Sequence, residues 1–185
     1  PENVHLFCKP TVEAVELPEL NCVVHGAAFT APYREEEPLS DFRAPEDGRI
    51  HLMVLHGDVG THSRYGPISE TQIASSGLDY LALGHVHACS DVRQAGKTVW
   101  AYPGCPEGRG FDELGDKGVL VGTVEKGRAD LRFVPLCKRR YEILDVDITD
   151  QDTAQAVRAA LAGHAADICR VRLTGTPVDR VPDLE

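Results

Sequence analysis

The chain has 185 residues, 42% of them hydrophobic and 26% charged, with a net charge of −10. That length gives one domain or slightly more with a buried core, and ordinary globular composition excludes a fibrous or low-complexity protein. Acid exceeds base on both sides of Cys137, which argues against a free-standing basic nucleic-acid-binding module.

Strand-like runs recur from the start: Val4 to Phe7, Val12 to Leu17, Asn21 to His25, Ile50 to Leu55, Tyr80 to Leu83 and Thr98 to Tyr102. Between them, residues 30 to 49 hold three prolines and the run Glu35-Glu36-Glu37, predicting a surface loop with one short helix. Pro67 to Ser76, followed by Gly77, predicts a helix with proline at its start and glycine past its end. Gly118 to Val124 and Ala129 to Leu136 form a hairpin across Glu125-Lys126-Gly127-Arg128. Past Lys138-Arg139-Arg140 the pattern predicts a strand over Tyr141 to Ile148. A helix capped by Thr149 or Asp150 and carrying Ala154, Val157, Ala160 and Leu161 follows, and Ile168 to Leu173 gives another strand. Val181-Pro182-Asp183 reads as the opening of a further helix. The expected division is therefore 1–137 and 138–185, the latter the start of a small α+β domain.

Six scattered cysteines without a CxxC pair point to free thiols in a reducing compartment, so a cytoplasmic location is expected. No run of about 18 apolar residues occurs, and no membrane span is expected. The chain opens on Pro1 and its one methionine is Met53, so it reads as a piece of a longer protein.

Three histidines close apolar runs: His56 after Ile50 to Leu55, then His85 and His87 after Leu78 to Gly84. Ligands in open α/β sheets bind beyond the carboxyl ends of strands, and imidazole is a common metal ligand. The pattern points to an incomplete metal site, set against the plainer reading of histidines satisfied within a core.

Leu83-Gly84-His85-Val86-His87 resembles the GHxH motif of calcineurin-like metallophosphoesterases, and Leu55-His56-Gly57-Asp58 resembles the histidine motif preceding it. The likeness extends to SbcD/YhaO-like DNA repair exonucleases through Tyr65-Gly66-Pro67-Ile68, Gly77 to His85, Tyr102 to Glu113 and Lys117-Gly118-Val119. That resemblance covers most of residues 1 to 147. It implies the second half of a metallophosphoesterase β-sandwich flanked by helices, followed by the start of a capping domain: an α/β (α+β) chain. It implies two divalent metals, usually Mn²⁺, with His56 and His85 on one and His87 on the other. DNA, a second nuclease subunit and an SMC-like ATPase are the implied partners.

The family's DxH, GDxxD and GNHD motifs do not occur in this sequence. No catalytic residue is therefore assigned to the chain, which is expected to hold at most one metal weakly and to be inactive alone, because neutral imidazoles do not offset the repulsion between two cations. His25-Gly26 imitates His56-Gly57, but a core role is the simpler reading. Cys89 invites a His-His-Cys zinc site, against the plainer reading of a small buried thiol. Gly104 to Gly110 lacks nucleotide-loop spacing, and Arg109 within it is a candidate phosphate contact. His5, His51, His62 and His164 are read as surface or core residues. Two alternatives stand beside the nuclease: a phosphatase or nucleotide phosphodiesterase of the same superfamily, and a non-catalytic interaction or capping module.

Overall fold

The computed structural model describes residues 3–60 and 63–178; His62 and the expected helix opening at Val181 to Asp183 lie outside that range. The fold is mixed α/β and rich in sheet. The described residues divide into two compact units, one comprising residues up to 105 with 118–134, the other 106–117 with 135 onward.

The first unit is organised by six strands: β1 (Glu13–Leu17), β2 (Cys22–Gly26), β3 (Ile50–His56), then, after two short strands, β6 (Tyr80–Gly84), β7 (Arg93–Ala95) and β8 (Thr98–Ala101). Their spatial order is β1-β2-β3-β6-β8-β7. The inner four run parallel, and β1 and β7 close the edges antiparallel. Alternation in β3 puts His51, Met53 and Leu55 inward while Val54 stays 52% exposed on the other face. The inward set packs with Leu81 and Leu83 of β6, Trp100, Leu39 and Ile73. Burying each such side chain contributes about 1.5–3 kcal/mol, which makes this cluster the main stabilising mass of the unit.

The short strands β4 (Asp58–Val59) and β5 (Pro67–Ile68) pair in parallel. They correct the expectation of a helix from Pro67. The helix α1 is Glu70–Ser75, and Ser69 caps it by a reciprocal box: Gln72 N–H donates to Ser69 Oγ, and the Ser69 N–H donates to Gln72 Oε1. Two further expectations need correction. Val4 to Phe7 forms no strand, and the Phe7 ring lies over Gly26 instead. Residues 30–49 hold a turn at 38–41 rather than a helix, with Leu39 fully buried beneath it. The expected hairpin forms between β9 (Gly118–Glu125) and β10 (Arg128–Pro135), its turn narrowed to Lys126-Gly127.

Two buried polar groups brace the end of the sheet away from the His56 tip. Asp79, fully buried, accepts from the N–H of His51 at 2.7 Å, the N–H of Gly127 at 2.8 Å and Lys126 Nζ at 3.2 Å. His25 Nε2 and His51 Nδ1 lie 3.0 Å apart, and His51 Nε2 lies 2.9 Å from Asp47 Oδ1. Both histidines are buried, so the core reading holds for them.

The second unit pairs β11 (Tyr141–Asp147) in parallel with β12 (Ile168–Thr174) across α2 (Thr153–Leu161). The cap of α2 is Asp152, whose Oδ1 accepts from Gln155 N–H; Asp150 takes a left-handed backbone (φ 55°) and caps nothing, correcting the Thr149 or Asp150 expectation. Arg140 grips Asp167 through Nε and Nη2, and the Arg170 guanidinium stacks 4.0 Å from the Phe111 ring centre. Among the described residues no helix is long and apolar enough to cross a membrane.

Burial, with the neighbouring His51 adding to it, pushes the pKa of His25 down from 6.5 to about 4. The unfolded chain therefore takes up a proton that the folded chain refuses as pH falls from 6.5 towards 4. The contribution of His25 to stability is expected to fall by about 3 kcal/mol across that window and to stay constant below it. Urea titrations followed by Trp100 fluorescence at pH 7, 5.5 and 4.5 measure this, and His25→Gln should remove most of the slope. An unchanged slope in that variant contradicts the assignment.

Candidate metal centre

Parallel pairing aligns the tips of β3 and β6, setting His56 opposite Gly84. The Gly57 N–H then donates to the Gly84 carbonyl at 3.3 Å, so the chain leaves both strands at one level. Gly84 runs beside the imidazole: a Cβ there would stand 3.4 Å from His56 Nδ1, in ordinary van der Waals contact. The next residue, His85, turns sharply with φ 105°, a conformation costing a non-glycine residue on the order of 1–3 kcal/mol.

The result is a close pair. The rings of His56 and His85 lie 5.1 Å apart, edge to face. Burial, reinforced by the nearby His85 and His87, holds the His56 pKa below the ordinary histidine value, so His56 is neutral with a lone pair available at pH 7. His87, two residues beyond His85, is exposed and adds the smallest part to that shift. His56 and His85 are thus brought together, whereas His87 lies close to the Cys105 thiol.

Aromatic rings hold the pair in place. Phe29 meets His56 edge-on at 5.2 Å, and Tyr65 stacks on His85 at 4.9 Å. Tyr33 backs Tyr65 at 5.6 Å, with the Arg64 guanidinium 4.0 Å from the Tyr33 ring centre. Beneath them, the hydroxyl of Tyr102 donates to the Gly57 carbonyl at 2.8 Å and accepts the Val59 N–H at 2.9 Å. Burial raises the Tyr102 pKa, which keeps that hydroxyl protonated and able to do both. The backbone after His56 is therefore fixed at two points by one side chain.

Other expected residues fall elsewhere. His25 lies inside the core and meets Phe42 rather than this cluster. The Cys89 thiol donates to the Ser90 carbonyl at 3.5 Å. Cys105 approaches His87: its N–H donates to the His87 carbonyl at 3.2 Å and its thiol lies 3.5 Å from the same oxygen. Arg109 belongs to the second unit, is exposed, and donates its backbone N–H to Glu113 Oε2 at 2.8 Å. Sequence patterning passed over Phe29, Tyr102 and Cys105 as site-building residues, although Tyr102 and Cys105 stand within the quoted Tyr102 to Glu113 stretch.

No protein-family model matches the chain. It is similar to the uncharacterized metallophosphoesterase YhaO of Bacillus subtilis (strain 168), 28% identical over 184 residues, which is 96% of this chain and 44% of that protein. The chain thus spans less than half the length of that relative. This similarity supports the metallophosphoesterase superfamily.

Tyr102→Phe keeps the ring and removes both hydrogen bonds, leaving the Val59 N–H and Gly57 carbonyl to find new partners. A destabilisation of about 1–3 kcal/mol is expected, together with weaker divalent-metal binding by calorimetry. Metal affinity unchanged alongside lost stability would show that the hydroxyl supports the core and not the histidine pair.

Proposed function

We propose that the chain carries part of the metal-binding half of a metal-dependent phosphoesterase, with DNA as the substrate of the full-length protein. One observation carries this reading: His56 and His85 meet at the carboxyl ends of adjacent parallel strands, where sheet proteins bind ligands. The likeness to a protein named as a metallophosphoesterase supports it. The donor set fits a divalent cation, since closely grouped imidazoles with a neutral member suit first-row metals. His56 and His85 hold one metal and His87 a second, with Mn²⁺ the expected ion. When bound, such cations supply Lewis acidity towards a phosphoryl oxygen.

The chain's own residues position and restrict. Tyr65 and Phe29 fix the ring planes, and Tyr102 holds the turn that presents His56. Arg109 contacts a substrate phosphate, a role suited to its forked guanidinium. We further propose that the six-stranded sheet is half of a β-sandwich, covered by a second sheet on the face that carries Leu52 and Val54. The division at residue 137 into a nuclease portion and the start of a capping domain belongs to the same proposal. So do a cytoplasmic location, self-association, and an SMC-like ATPase partner.

Specificity for DNA ends over small phosphate esters is the finer part of the reading. Comparing cleavage of single-stranded DNA with para-nitrophenyl phosphate by the full-length protein separates nuclease from phosphatase. His87→Ala should abolish that cleavage, by at least about a hundred-fold for loss of a metal ligand, while the circular dichroism spectrum stays unchanged. An unaffected rate would defeat the assignment of His87.

The net charge of −10 and the absence of DxH, GDxxD and GNHD from these residues favour a second reading for the chain taken alone, a non-catalytic interaction or capping module. The 185-residue chain is expected to show no manganese-dependent hydrolysis. Turnover that survives repurification through metal-free columns contradicts this.

A further inference from the structure

The loop after β8 brings a thiol beside the exposed His87. We propose that the Cys105 thiolate binds the same cation as His87, making that half of the centre a nitrogen–sulfur site suited to thiophilic divalent ions such as zinc, cobalt or cadmium. The proposal rests on the reading of His87 as a metal ligand.

A ring nitrogen of His87 and the Cys105 Sγ lie within 4.8 Å of each other. Bonds of about 2.3 Å to sulfur and about 2.05 Å to nitrogen place two tetrahedral ligands about 3.6 Å apart, a distance that small side-chain rotations reach from here. The backbone under the thiol is pinned on both sides. Cys105 N–H donates to the His87 carbonyl at 3.2 Å, and the Cys105 carbonyl accepts the Gly118 N–H at 3.1 Å.

Gly104 permits this approach. Its φ of 79° and the 2.8 Å that would separate a Cβ from both the His87 oxygen and the Cys89 nitrogen exclude any larger residue. The loop is therefore built to run against the His87 segment. His87 is exposed and Cys105 half-buried, so an ion in solution reaches both.

Chemistry completes the case. In the free protein the thiol sits 3.5 Å from the His87 carbonyl, an S–H···O contact. On binding, the proton passes to solvent and the cation takes its place between sulfur and imidazole. The thiolate brings the negative charge that imidazoles lack, and its softness ranks zinc-like ions above manganese. Cys89, turned to the Ser90 carbonyl, serves as an internal control.

Titrating the 185-residue chain anaerobically with Co²⁺ tests the proposal. One equivalent should produce a near-ultraviolet sulfur-to-cobalt charge-transfer band together with visible d–d bands. Cys105→Ser should lose the charge-transfer band and weaken cobalt binding at least about ten-fold, while changing Mn²⁺ affinity far less. Cys89→Ser should keep both features. Visible bands without charge transfer in the native chain would overturn the thiolate and leave the histidine reading standing; no cobalt binding at all would overturn both. A band lost in Cys89→Ser but kept in Cys105→Ser also overturns the proposal. Should Cys105→Ser fail to fold by circular dichroism, alkylation of Cys105 in the native chain decides. Zn²⁺ should protect it at least about ten-fold, and equal rates with and without Zn²⁺ refute the proposal.

Discussion

The candidate centre depends on one register. Parallel pairing sets His56 of β3 against Gly84 of β6, and a shift by one residue would send His56 to the opposite face of the sheet. From this alignment follow the closeness of His56 to His85 and the strained turn at His85. The nearness of His85 adds to the burial that lowers the His56 pKa. The hydrophobic face of β3 enforces the register from below, because Met53 and Leu55 are buried only in this alignment.

Polar anchoring divides the labour between the two ends of the sheet. At the end opposite the His56 tip, Asp79 is saturated by two backbone donors and the Lys126 ammonium. A buried carboxylate so supplied is stable where an unpaired one is costly. At the tip, a single hydroxyl of Tyr102 holds Gly57 and Val59 together. One anchor stabilises the scaffold and the other shapes the site, which is why their loss should have separable consequences.

Much of this order was legible in the sequence, for reasons that are local. Apolar runs ending in histidine mark strand tips, so β3, β6 and the nearness of His56 to His85 followed from pattern. The hairpin of β9 and β10 followed from Lys126-Gly127 between β-rich runs. What escaped depends on contacts far apart in the chain. Tyr102 reaches Gly57 across 45 residues, and Asp79 reaches Gly127 across 48. Nothing in the local pattern of either residue announces its partner. Phe7 illustrates the opposite failure: its run has strand composition, yet the ring packs over Gly26 and the segment forms no ladder. Ser69 and Asp152 displaced the expected caps because side-chain hydrogen bonding to the third residue of a helix outweighs the position of a nearby proline or threonine.

The site also joins rigid and adaptable parts. His56 and His85 stand on strand tips braced by aromatic rings, which preorganises them at little cost on binding. His87 and Cys105 lie on loops, whose backbone is tied down by specific hydrogen bonds. The most direct measurement is a long-range proton–nitrogen spectrum of the histidine rings, recorded as diamagnetic Zn²⁺ is added to the chain. The account requires the His56 and His85 imidazoles to shift together and saturably while the buried His25 and His51 stay put. Independent titration of His56 and His85, or shifts confined to His5 and His164, would contradict it.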